Sequence, residues 1–162
     1  MTQYLFLFTI GPVQSFIAQA RKTQDLYAGS KLLSDLIEDT INDLRTIESS
    51  AEIIFPNTIL KSKPNRFIAI LTDPKKNGVL LEEYTRKNYL EKAKAIKNNF
   101  SRIDSEKLDS HLKNFLEIYW NAIPLENNTY TMEDYSKLER ELGEVKCSRK
   151  FFQLNQDGEA NR

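Results

Sequence analysis

The segment best suited to chemistry in this sequence is Gly11-Pro12-Val13-Gln14-Ser15, which joins an apolar run to a stretch of helical periodicity. At such a junction the first backbone N–H groups of a helix lack intrahelical partners and carry the positive end of its dipole, so they can hold a phosphate. Gly11 lets a ligand approach the backbone, and Gln14 and Ser15 add hydrogen-bonding groups. A plain strand-to-helix turn uses the same residues for local reasons. From residue chemistry alone that is the simpler reading, because short motifs of this kind recur by chance.

Other reactive side chains are scattered. Arg21, Lys22 and Lys31 fall on the polar side of the first helical stretch, where they could meet RNA or a partner subunit. Arg21 and Asp25 also have the spacing of an ordinary i,i+4 ion pair, and a solvated face accounts for the basic residues more simply. Lys92, Lys94 and Lys97 carry the same reading. His111 has no second His or Cys at ligand spacing. Cys147, the one cysteine, can make neither an internal disulfide nor a multi-cysteine zinc site, which suits a reducing cytoplasm. Tyr119 and Trp120 offer rings for base stacking, but alternating burial in a strand explains them better. No Ser, His and Asp stand in a nucleophile-elbow context.

The elements that must position these residues follow from periodicity. With 162 residues, 40% of them hydrophobic, the chain can bury a real core. Lys plus Arg balances Asp plus Glu at 23 each, which argues against a free-standing basic nucleic-acid binder. No segment reaches the length of a membrane span, so no membrane is expected. Tyr4 to Ile10 is apolar at almost every position, the pattern of a central strand covered on both faces. Val13, Phe16, Ile17, Ala20, Gln24 and Tyr27 then share a helical face, followed by Leu32, Leu33, Leu36, Ile37, Ile41 and Leu44. Gly29-Ser30 is a weak point between them, and one kinked helix or two helices capped at Ser30 both fit.

Ala51 to Phe55 and Arg66 to Leu71 read as strands of a hairpin. A helix led by Gly78 carries Val79, Leu80, Tyr84, Tyr89, Leu90 and Ala93 to about Phe100, and Leu108 to Phe115 adds a further turn or two. Leu116 to Pro124 reads as a strand, and Met132 to Val145 as a last amphipathic helix with Thr131 placed to cap it. The expected fold is α+β: a ferredoxin-like βαββαβ unit over residues 1–126 with an antiparallel sheet, then a C-terminal helix within 127–152 and a polar tail over 153–162. Helices on one face of such a sheet leave the other to be covered by something else.

Ile10-Gly-Pro-Val-Gln-Ser-Phe-Ile-Ala-Gln-Ala-Arg-Lys-Thr-Gln-Asp-Leu-Tyr-Ala-Gly-Ser-Lys-Leu-Leu33 resembles the first palm-like domain of the polymerase- and cyclase-like large subunit of type III-B CRISPR effector complexes. Ile53-Ile-Phe-Pro56, Pro64-Asn-Arg-Phe67 and Ile118-Tyr-Trp120 with Pro124 follow in the family's order. The first motif is long and specific; the others are short. The resemblance implies a longer protein with two palms, a zinc segment and often an HD nuclease. No His-Asp pair is present here, and the zinc segment would fall beyond Arg162. A fragment or a truncated gene product is therefore expected.

Palm-type nucleotidyl transfer uses two metal ions on carboxylates at the end of the first strand and on an acidic hairpin. Here the first strand ends Phe8-Thr-Ile-Gly11, and the hairpin between Pro56 and Asn65 offers Lys61 and Lys63 but no acid. The expectation is no catalysis and no cofactor for this chain alone. The resemblance implies ATP and a divalent metal for a full-length relative, whose paired palms bind ATP for cyclic oligoadenylate synthesis in antiviral defence. It also implies other subunits of the ribonucleoprotein as partners, with guide and target RNA met indirectly. Two alternatives stand beside this: an architectural docking module, and a small metabolite-binding regulatory domain.

Overall fold

The computed structural model describes residues 2–14, 18, 20–97 and 112–147. Ser15, Phe16, Ile17, Phe100, Leu108 to His111 and the tail from residue 148 therefore lie outside the described residues. Tyr4–Gly11 forms strand β1, and residues 5–10 are all buried, which is why the run is apolar without alternation. After it come helix α1 (Thr23–Ile47), strands β2 (Glu52–Phe55) and β3 (Arg66–Leu71), helix α2 (Pro74–Lys97), strand β4 (Glu117–Pro124) and helix α3 (Met132–Cys147).

The sheet order is β2-β3-β1-β4 with every neighbouring pair antiparallel. This is the expected ferredoxin-like α+β arrangement, in which each helix carries the chain over one face and across one intervening strand. On that face Phe6, Phe8 and Ile10 of β1 meet Phe67 and Ala69 of β3 and the inner sides of α1 and α2. The Phe6, Phe8, Phe67 and Trp120 rings form a connected group with centroids 5.4–6.3 Å apart. Each fully buried Phe or Leu there stabilises the fold by about 1.5–3 kcal/mol.

The opposite face is not left open. Leu138 and Leu142 of α3 bury against Leu5, Leu7, Ile68, Ile70 and Ile123. The Arg66–Glu139 ion pair and a 3.1 Å bond from Asn121 Nδ2 to Glu141 Oε2 tie the helix across β3 and β4. The covering element is thus the chain's own last helix. Thr131 and Asp134 cap it reciprocally, with the Asp134 amide donating to Thr131 Oγ1 and Asp134 Oδ2 accepting from both the amide and the hydroxyl of Thr131.

One choice left open is decided and two local expectations are corrected. First, of the two arrangements at Gly29-Ser30 the structure shows a continuous helix, so Ser30 caps nothing, and the break falls at Ala20 to Lys22. There Asp25 Oδ2 accepts the amides of Arg21 and Lys22 and starts α1. The first two turns of α1 stand proud of the core, and Tyr27 is 70% exposed, so it is not a core residue. Second, α2 begins at Pro74, not after Gly78. Asp73 caps it through Oδ1 to the Lys76 amide, 3.1 Å, and Pro74 occupies a first-turn position that needs no N–H. Third, its inner face is Asn77, Gly78, Leu81, Thr85 and Tyr89, whereas Val79 and Tyr84 face solvent.

Polar groups inside the helical layer are matched. Thr40 and Thr85 are fully buried and lie 2.9 Å apart across α1 and α2, each also within reach of its own i−4 carbonyl. At the far end of α1, the Glu48 carboxylate accepts the Thr72 amide and hydroxyl through Oε1 and the buried Asn77 Nδ2 through Oε2. Burial pulls the Glu48 carboxyl upward, but the bonds from Thr72, Asn77 and Ser50 outweigh it and hold the group below its ordinary value.

Candidate functional site

The end of β1 is clamped from the neighbouring strand. Asn65, one residue before β3, accepts the Ile10 amide at 2.9 Å and donates from Nδ2 to the Ile10 carbonyl at 2.9 Å. The Thr9 hydroxyl donates to the same Asn65 carbonyl at 3.3 Å. The chain then leaves the sheet through the Gly11–Pro12 peptide, which is cis, and Val13 and Gln14 are helical. Pro12 itself stands before the helical turn rather than inside it. Ala20 and Arg21 are non-helical, so a helix that starts at Val13 does not run on into α1.

What the turn does possess is a cavity. Gly11, Pro12, Val13 and Gln14 form one side of a space of 310 Å³, and Asn65, Glu117, Tyr119 and Lys146 form the other. Strand register explains Glu117: it pairs directly with Gly11 across β1 and β4. A methyl group at Gly11 would sit 3.7 Å from Glu117 Oε2, an ordinary contact, so the fold itself does not require glycine there. Tyr119 points to the α3 side of the sheet, and Lys146 Nζ lies 5.9 Å from the centroid of its ring. Burial, reinforced by Arg66, lowers the Lys146 pKa, while Glu139 and Glu117 pull it back up. A second, smaller cavity of 190 Å³ shares Val13 and Asn65 and runs under Asp25, Gly29 and Leu33 to Lys63.

Of the residues singled out from sequence, Gly11, Pro12, Val13 and Gln14 come together at this cavity; Ser15 lies outside the described residues. Arg21, Lys22 and Lys31 do not join them. Arg21 and Lys22 are exposed at the start of α1, and Lys31 pairs with Asp35 at 2.7 Å on its solvent face. The Lys31 ammonium is raised by that hydrogen bond and charge. Asp25 takes the Arg21 amide at 3.1 Å. Lys92 bonds Asp39 across the helices at 3.1 Å. Trp120 packs against Gly78 and Phe6 at the helical core, which accounts for the ring without a base. Cys147 is exposed, and among the described residues no three His, Cys, Asp or Glu side chains come together in a way that could hold a metal ion.

Sequence reasoning missed Glu117, Lys146 and Asn65. The alternation of β4 around Trp120 puts Tyr119 and Glu117 on one face, which was readable. That α3 lays Lys146 over the same spot was not, because its docking is set by contacts distant in sequence. Lys63 was also misjudged as a hairpin charge. It is 6% exposed, its amide donates to Ser34 Oγ at 2.7 Å, and its ammonium donates to the carbonyls of Thr58 and Leu60.

Residues 5–105 match the family model described as CRISPR-associated protein Cmr2, N-terminal. A search of curated proteins returns no match.

Proposed function

The chain belongs to the family of the CRISPR-associated protein Cmr2, N-terminal region, a subunit of type III effector complexes, and on that premise we propose that it forms the non-catalytic palm half of the large subunit. In this reading it pairs with a catalytic palm and helps bind ATP for synthesis of cyclic oligoadenylate signals. The observation that carries the reading is the 310 Å³ cavity at the end of β1, which has Gly11 to Gln14 on one side and the side chains of β4 and α3 on the other. Backbone, an amide, a carboxylate, a phenol ring and an ammonium converge there, the mixture a polar small molecule needs.

Gly11→Ala tests the reading, because the methyl group fits the fold but occupies the space through which a ligand meets the backbone. In the whole large subunit, reconstituted with its complex and target RNA, ATP affinity and oligoadenylate yield should fall by roughly tenfold, the lower range for an obstructing methylene. The melting temperature should stay within a few degrees. Unchanged ATP affinity with full yield would refute it.

A second reading, docking onto a neighbouring protein subunit, is favoured by the β2–β3 connection. Ile59 and Leu60 are 87% and 57% exposed. The loop that displays them is pinned from within by the Lys63 ammonium and by the Asn57 side chain, whose Oδ1 accepts the Ile59 amide at 3.0 Å. A preorganised loop presenting two apolar side chains is suited to burial in a partner. The two readings are compatible, since they use different surfaces. The metabolite-domain alternative, which set the family resemblance aside, has no support from the family match.

A further inference from the structure

Strand β2 is an edge of the sheet, with β3 on one side and no strand among the described residues on the other. An edge strand turns a row of N–H and C=O groups outward, where another chain can pair with them. The pairing of β2 with β3 is irregular. Ile53 pairs with Ala69 and Phe55 with Ile68, so Ile54 is one residue more than the partner strand can match. Side chains of a regular strand alternate between faces, and a bulge re-aims one of them. Here Ile54 and Phe55 both line a groove of 270 Å³ on the α3 side of the sheet, together with Leu5, Ile68, Tyr130 and Met132.

Leu138 and Leu142 of α3 cover the neighbouring part of that face. Around the groove, Phe55, Tyr130 and Met132 remain 42%, 49% and 78% exposed. The polar side chains along it are engaged within the chain. Arg66 pairs with Glu139, the Tyr135 hydroxyl donates to Glu139 at 2.8 Å, and Thr131 is bound to Asp134. The groove therefore offers apolar contact, which suits the anchoring side chain of a protein better than a polar small molecule.

Glu52 selects the kind of chain that fits. It pairs with Ile70, so it stands exposed on the same face as the groove. A second copy adding edge to edge would bring two such carboxylates together, and β2 contains no cation to answer them. Short length, a bulge and a charge are the devices by which an edge refuses strands like itself. They do not refuse a strand that sets a Lys or Arg against Glu52, because opposite charges across strands attract. Only Pro56, Asn57 and Thr58 separate Phe55 from Ile59, so the edge runs directly into the loop read above as a docking element.

We propose that β2 is extended by a strand from another protein subunit of the effector complex. Its backbone pairs with the outer edge of β2, a Lys or Arg faces Glu52, and an apolar side chain fills the groove. The inference rests on the docking reading and adds to it a second contact of defined chemistry.

The test compares the chain alone with the same chain in the reconstituted effector complex. Hydrogen exchange of at least one amide within residues 52–55 should slow about tenfold or more on assembly, because an edge amide gains an acceptor. Met132→p-benzoylphenylalanine should cross-link to an extended segment of another subunit that carries a Lys or Arg. Glu52→Lys should lower incorporation about tenfold by setting like charges against each other. Changing the facing Lys or Arg to Glu should restore it, which a merely unfolded variant would not allow. Unchanged exchange over residues 52–55, cross-linking to RNA, to a second copy of this chain or to no protein subunit, or parental incorporation of Glu52→Lys would each overturn the inference. The loop is decided separately by Ile59→Ser with Leu60→Ser, read by incorporation, whereas the edge is read by exchange in complexes that form, so either can fail alone.

Discussion

Single residues carry several of the constraints on this molecule, and Gly78 is the sharpest. An added Cβ at that position would come 2.5 Å from the Trp120 ring, closer than any side chain tolerates. In an exposed helix interior, glycine to alanine gains about 1 kcal/mol. Here overpacking should outweigh that gain, with a net loss of about 1–3 kcal/mol, because the ring is wedged against Phe6 and cannot retreat. Urea denaturation of Gly78→Ala, followed by Trp120 fluorescence, measures it; a variant as stable as the parent would show that the indole moves freely. From sequence the glycine read as a helix leader. Its true role needed the knowledge that β4 passes beneath α2. Lys63 makes the same point, since nothing in a polar loop announces that its ammonium turns inward.

At the scale of elements, β1, β3 and β4 and the last helix were legible because their cause is local. An unbroken apolar run, Pro-Asn and Pro punctuation, and a Thr-x-x-Asp start each specify their element without help from elsewhere. The helix faces were less legible where polar residues sit inward. Thr85 and Asn77 lie in the core of the α1–α2 layer because Thr40 and Glu48 await them there, and periodicity of apolar residues cannot see such pairs. The Thr40 and Thr85 hydroxyls share two protons among three contacts, so one contact is always without a donor. The role of α3 was legible as a helix and illegible as a lid on the second face. Leu138→Ala should therefore cost about 2–5 kcal/mol, the range for a fully buried leucine, despite its place at the end of the described chain. A chemical melt showing a loss below about 1 kcal/mol would mean that α3 is an appendage rather than part of the core.

For the whole molecule, the candidate site and the apolar loop are built from different residues, so the proposed ligand binding and the proposed docking can be tested apart. Ile59→Ser with Leu60→Ser removes two exposed apolar side chains without touching the core. The fold should keep its stability within about 0.5 kcal/mol, as surface changes usually do. Incorporation into the effector complex should drop, read by pull-down with the neighbouring subunits, while ATP binding is unchanged. Normal incorporation of the double variant would remove the docking reading.

The Glu48 carboxylate is a junction. The residue's backbone caps the end of α1, while the carboxylate holds the strand-to-helix corner at Thr72 and grips α2 through Asn77. Neither helix can slide along the sheet without breaking one of these bonds, so the pair is geared as a unit. The opposite end of α1, at Asp25, Leu26 and Gly29, borders the smaller cavity that also touches Val13 and Asn65. The two ends of α1 thus have different duties: one lines a cavity, and the other is tied to the second helix and to the corner before it.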